Sequence, residues 1–270
     1  MSKPFMRGVT YAQDMVRLYQ FPRNAHIPNL SPFCLKLETF LRHAGIKHEA
    51  ICSIENWKKG KEGKFPWIEL NGQPYHDSDF IMQKLTNHFK LDHLEADLTD
   101  EQKGTTRAVM KMVEQSLFET ALYNRLMENL ETSLAVGRVK IPMKSLLMPF
   151  VKYFIHRKIH TRMEGVGLGR HTREEIYSIA KTDVKALSQL LGDKQFFFGD
   201  KPHNIDIIVW SVLAESYYMP WDNMIKGYVK DSKNLDGFMG RMKQHFWPDW
   251  EEITAKPKKN AQNKEDRGAS

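Results

Sequence analysis

The sequence predicts a small α/β domain followed by a larger all-helical one. Three observations carry this: strand, helix and strand patterns follow one another between Val16 and Ile51; an Asn71-Gly72 turn signal sits between two short apolar runs; and from Asp100 onward apolar residues keep helical spacing with no convincing strand.

Val16-Arg17-Leu18-Tyr19-Gln20-Phe21 alternates and is rich in aromatic and branched residues, which predicts a strand. A loop, 22–30, leads to Ser31, an N-cap residue placed before Pro32 at the first helical position. Phe33, Leu37, Phe40, Leu41 and Ala44 then recur at helical spacing until Gly45 stops the run. Lys47 to Ile51 supplies a second, parallel strand and completes a βαβ unit. After a charged loop, Trp67-Ile68-Glu69-Leu70 and Gln73-Pro74-Tyr75-His76 form a hairpin around Asn71-Gly72. Asp77-Ser78 opens a helix carrying Phe80, Ile81, Leu85 and Phe89. The order β-α-β then β-β-α is that of a thioredoxin-like domain, expected over residues 14–90.

The helical domain is expected over residues 100–252. Its helices include one begun by the capping box Thr172-Arg173-Glu174-Glu175, one containing Asp206 to Tyr218 and one over Leu235 to Phe246. The tail 253–270 is basic and nearly free of apolar residues, which predicts disorder.

With 41% hydrophobic residues among 270, the chain can bury a full core. The opening MSKPFMRGVT has no apolar h-region, and the longest apolar stretches, such as Ile205 to Ala214, fall well short of the roughly 18 residues that span a bilayer. A cytoplasmic protein is expected. Cys34 and Cys52, the only cysteines, suit neither a disulfide framework nor a zinc site, so both are expected to be reduced.

The net charge of +7 is local. Residues 138–162 hold seven Lys/Arg and no acid, the last seventeen hold five against two acids, and the remainder is slightly acidic. No motif supports nucleic-acid binding. In 138–162 the cations interleave with Leu, Phe, Tyr and Ile, which reads either as a solvated helix face or as a surface for anionic lipid or an acidic protein; Pro149 is expected to interrupt any long helix there.

Taken as bare residues, the conspicuous positions have ordinary roles. Ser31 is an N-cap, Cys34 a small buried hydrophobe on the face of Leu37 and Leu41, and Pro66 the start of an edge strand. Asp77-Ser78 is a second cap, and Lys58, Lys59 and Lys64 solvate a loop. His156 and His160 lie four apart but lack the intervening Glu and third ligand of a metal site, and the glycines of 165–169 read as a hinge because no strand precedes them.

Several of these residues together resemble another pattern. Ser31-Pro32-Phe33, Phe65-Pro66-Trp67, Asp77-Ser78 and Gly199-Asp200-Lys201-Pro202 ahead of Asp206 resemble the glutathione transferase superfamily. LSPFCLKLETFLRHAGI, GLGRHTREEI and LGDKQFFFGDKP resemble its branch of failed axon connections proteins, nematode cadmium-responsive proteins and, more distantly, metaxins.

The resemblance implies glutathione as ligand, with Ser31 donating a hydrogen bond to the sulfur as the catalytic group. Pro66 would be cis and Phe65, with Trp67 beside it, would offer backbone to the peptide. Asp77 and Ser78 would hold the γ-glutamyl end, and one of the lysines, with Lys59 as candidate, the glycine carboxylate. Asp206 would be structural, in a buried capping motif whose usual Ser or Thr is replaced by His203, so that Asn204 takes over or the helix end rearranges. Two functions follow from the resemblance: a glutathione transferase of detoxification or stress response, or a non-catalytic interaction protein, peripheral to a membrane, with homodimerisation an expectation of either.

Overall fold

The computed structural model describes residues 12–60, 63–137, 141–221 and 223–255. Its four-stranded sheet runs β2-β1-β3-β4, from β1 (Val16–Gln20), β2 (His48–Cys52), β3 (Trp67–Leu70) and β4 (Gln73–His76). β1 pairs parallel to β2, with Leu18 opposite Ala50, and antiparallel to β3, with Leu18 opposite Ile68. The β3–β4 hairpin turns at Asn71 and Gly72, whose φ values of 51° and 78° are what an Asn-Gly pair tolerates.

Helix α1 (Pro32–His43) crosses from β1 to β2, and α2 (Ser78–Phe89) follows the hairpin. The helical half comprises α3 (Asp100–Met112), α4 (Phe118–Tyr123), α5 (Leu130–Val136), α6 (Lys144–Gly165), α7 (Arg173–Leu191), α8 (Asn204–Tyr217), α9 (Met224–Asp231), α10 (Lys233–Phe246) and α11 (Trp250–Thr254). Two π-helical turns, Val113–Leu117 and Asn124–Glu128, flank α4. The thioredoxin-like sheet followed by a large helical unit is the expected fold. Most of the tail, from residue 256 on, lies outside the described residues, as do Arg138 to Lys140 of the basic segment.

The two halves have separate apolar cores joined by α1. Leu37, Phe40 and Leu41 pack with Val16, Leu18, Ile68, Ile81 and Leu85 under the sheet, whereas Leu35 belongs to the larger core built around α8. Because α1 is covered on both sides, its polar residues are buried too and need partners. Lys36 Nζ lies 2.5 Å from Asp79 of α2 and 2.6 Å from Glu114 of the first π turn. Glu38 accepts from Gln20 at 2.6 Å and from both Nη atoms of Arg23 at 2.7 and 2.6 Å. Burial pushes the Glu38 carboxyl up, but Arg23 outweighs it and holds it below the ordinary carboxylate range. Arg42, near the end of α1, grips Asp249 with two bonds of 2.7 and 2.9 Å, while its guanidinium lies 3.9 Å from the centre of the Trp247 ring.

One expectation is corrected, and one open alternative is resolved. Pro149 does not interrupt the basic segment; it sits in the second turn of α6, where its missing N–H leaves only the Ser145 carbonyl without a helical donor. At the start of α8 the helix end is rearranged. Asp206 accepts from the N–H of His203 at 2.9 Å and of Phe197 at 2.8 Å, the His203 ring turns to Asp97, and the Asn204 N–H is taken by Glu95 at 2.8 Å. The first helical N–H is thus satisfied by a carboxylate from another segment, while Asp206 reaches back to the His203 N–H.

Glu38→Ala is expected to destabilise the protein by about 3–5 kcal/mol, since it leaves Arg23 without its main partner in a site where Gln20 is also buried; urea unfolding reads this directly. A second expectation concerns His43, whose pKa burial lowers from 6.5 to about 4. Above 6.5 the ring is neutral in both states; as pH falls toward 4 only the unfolded chain takes up the proton. Stability should therefore drop by on the order of 2–3 kcal/mol across that window. His43→Gln should flatten the drop in a pH series of unfolding curves.

Candidate functional site

The loop before α1 is fixed at several points. Asn24 Oδ1 accepts from the N–H of His26 and Ile27, and Ile27 is buried in the helical core. Asn29 donates to the Phe21 carbonyl at 3.0 Å and accepts from the Ser31 N–H at 3.0 Å. Ser31 is thereby presented at the head of α1, where its Oγ accepts from the Cys34 N–H at 3.4 Å. A hydroxyl that accepts in this way still has a proton to donate, so capping α1 and meeting a sulfur are compatible roles.

Ser31 opens on a cleft of about 570 Å³ walled by both halves. Phe21, Pro22, Leu30, Pro32 and Ile54 form one wall; Phe118, Leu126, Leu134 and Gly137 form the other, with Arg125 and Ser133 among them. Arg125 bridges the halves, donating to the Leu30 carbonyl at 3.0 Å and lying 2.6 Å from buried Glu215. These helical-domain residues were not identified individually from sequence. The π turn Asn124–Glu128 that carries Arg125 and Leu126 has no periodicity signal of its own, although such turns recur at functional sites.

Cys34 is fully buried, among Tyr19, Phe65 and Trp67. Burial pushes its thiol up to about 12, with the Ser31 hydroxyl acting in the opposite direction and losing. It is the buried hydrophobe expected, and neither cysteine forms a disulfide. The Phe65-Pro66 peptide is cis, as expected, and Phe65 stands edge-on to Phe21 of the cleft with ring centres 5.0 Å apart.

Trp67 is wholly buried, stacked on Tyr19 at 3.8 Å, and its strand is paired on both sides. It supports Phe65 from behind rather than facing the cleft. Asp77 caps α2 through the N–H of Asp79 and Phe80, and its φ of 69° with ψ of 122° is a conformation few non-glycine residues adopt; such outliers gather at binding sites. Ser78, the first residue of α2, is buried. Lys59 ends an exposed 3₁₀ turn, Ile54–Lys59, and does not line the cleft, although Ile54 of the same turn does.

Of the residues expected at the site, Ser31 lines the cleft, whereas Lys59, Phe65, Pro66, Trp67, Asp77 and Ser78 are not among its lining. A thioredoxin-like sheet with a cis proline before β3, followed by a large helical half, is the glutathione-transferase fold. Family models described as "Glutathione S-transferase N-terminal domain" and "Glutathione S-transferase, C-terminal domain" match residues 32–131 and 180–242, more than half of the chain together. The chain belongs to the glutathione S-transferase family.

Among its relatives is Failed axon connections of Drosophila melanogaster, 35% identical over 93% of this chain; the chain spans 62% of that protein's length. Isoprene-epoxide–glutathione S-transferase of Rhodococcus is 27% identical over 86% of this chain and 99% of its own, and mouse Metaxin-2 is 24% identical over 80% and 82%. A glutathione S-transferase structure from Methylobacterium radiotolerans, in complex with glutathione sulfonate, superposes with a TM-score of 0.56 at 16% identity, covering 86% of this chain and 91% of the other. That likeness is one of fold.

Because burial keeps the Cys34 thiol protonated at working pH, native protein should show no fast reaction of this residue with a thiol reagent near pH 8, and two thiols should titrate after denaturation. Fast labelling of Cys34 in the folded protein, traced by peptide mapping, would contradict its burial.

Proposed function

We propose that the protein binds glutathione in the cleft at Ser31 and conjugates it to an apolar electrophile. The observation that carries this reading is the position of the Ser31 hydroxyl at the edge of an apolar space walled by both halves of the molecule. In this reading the Ser31 O–H donates to the glutathione sulfur and favours thiolate over thiol, helped by the field at the head of α1. The backbone of Phe65, ahead of the paired strand β3, receives the cysteinyl unit as an added strand. The Ser78 hydroxyl and the first N–H groups of α2 suit the γ-glutamyl carboxylate, and Asp77 suits its ammonium. Lys59 is the candidate for the glycine carboxylate. Phe118, Leu126 and Leu134 offer the electrophile an apolar seat.

The relatives support this unequally, since one is named as a glutathione S-transferase and the others as Failed axon connections and a metaxin. The second reading is a scaffold without turnover, favoured by the exposed apolar and basic face of α6. Calorimetric titration separates the two, and no binding at millimolar glutathione would remove the transferase reading.

If glutathione binds, Ser31→Ala should leave affinity nearly intact but raise the pKa of the bound thiol by roughly one to two units, the equivalent of one hydrogen bond to a charged group. Turnover of an aryl halide should then fall at least about tenfold near neutral pH and recover as pH rises. Asp77→Asn, which keeps the cap and tolerates the backbone, and Ser78→Ala should instead weaken binding at every pH. A pH profile unmoved by Ser31→Ala would reduce Ser31 to a helix cap.

A further inference from the structure

Helix α6 is apolar on two opposite sides. Met148, Ile159 and Met163 are buried, the last two in the helical core, whereas Met143, Leu146, Phe150, Tyr153 and Phe154 stand 59 to 68% exposed. Spacings of three and four residues place Met143, Leu146, Phe150 and Tyr153 in one outward stripe with Phe154 at its edge. Five of the eleven exposed large hydrophobics among the described residues lie here, so the patch is not random scatter.

The charges that α6 itself carries ahead of Glu164 have one sign. Lys144, Lys152, Arg157, Lys158 and Arg162 precede the first acid, Glu164. Arg162 is committed to Glu119 and Lys144 lies 3.4 Å from Glu131, but Lys152, Arg157 and Lys158 are exposed and form no ion pair among the described residues.

We propose that this face of α6 rests on an anionic lipid surface, the helix lying in the interface plane with Leu146, Phe150 and Phe154 in the boundary between headgroups and acyl chains. Aromatic and aliphatic side chains on a helix whose own charges ahead of Glu164 are all cationic are what such a boundary accommodates. No described helix is long and apolar enough to cross a membrane, so the contact is peripheral. A second copy fits worse, because a two-fold contact through this face would set two cationic segments against each other. None of the residues lining the cleft at Ser31 comes from α6, so lipid contact and ligand binding do not compete for the same side chains.

The test is co-sedimentation with phosphatidylcholine vesicles that contain or lack phosphatidylserine, at low and high salt. Binding is expected only with phosphatidylserine and should fade as salt rises. At about fivefold per cation, Arg157→Glu and Lys158→Glu together should reduce partitioning by about twentyfold or more. Phe150→Ser with Phe154→Ser should also reduce it, while Leu190→Ser, an exposed position on α7, should not; all these sites are exposed, and unchanged thermal melts confirm folding. The proposal is overturned if no vesicle binding occurs at low salt, or if binding ignores the α6 variants. It is likewise overturned if sedimentation velocity finds a dimer dissolved by Phe150→Ser and Phe154→Ser while vesicles are left unbound, or if an acidic polypeptide, and not phosphatidylserine, is bound through the same face.

Discussion

The requirement that α1 be covered on every side governs the molecule. Nine of its residues are buried, Lys36, Glu38 and Thr39 among them, and a buried charge without a partner costs more than a fold can ordinarily bear. Each is answered from a different stretch of chain. Lys36 is met by α2 and the first π turn, Glu38 by the loop after β1, and Thr39 by the Trp247 indole N–H at 3.0 Å. Buried ion pairs add little net stability over apolar packing, but they accept few alternative partners. They fix how the sheet half and the helical half meet, and therefore the width of the cleft at Ser31.

That dependence explains how much was legible in the sequence. Strands, α1, α2, the Asn-Gly hairpin and the box at Thr172 rest on local periodicity and turn chemistry, and each was found within a residue or two. Ser31, the cis Pro66 and the Asp77-Ser78 pair were recognisable because their types and order follow a known pattern. The far wall of the cleft was not. Arg125, Leu126 and Leu134 reach it through two π turns and a docking angle set by side chains distant in sequence, and neither leaves a periodic trace. Pro149 misled for a related reason: a proline near the head of a helix costs only one hydrogen bond, so composition alone cannot tell an interruption from a second-turn residue. His203 was recognised as a poor cap, yet the substitute, Glu95, could be seen only once the chain was folded.

Within the site, adjacent residues divide the labour by exposure. Ser31 keeps one side open to the cleft, while Cys34, one turn further, is sealed among aromatic rings where its thiol stays protonated. The same helix head thus presents an oxygen to the cleft and withholds a sulfur from it. Trp67 adds the rigid backing, stacked on Tyr19, against which Phe65 is held.

The grip of Arg42 on Asp249 joins residues 207 positions apart. Thr39 already bonds the Leu35 carbonyl within α1, but its second partner, and the grip on Arg42, come only from residues 247–249. Such long-range closure slows folding and leaves polar groups of an early helix waiting for late ones. The contacts of α1 are therefore complete only when the helical half is in place. The helix that heads the ligand cleft is completed only when the helical half closes over it, so a chain arrested before Trp247 would present a sheet with an unfinished site.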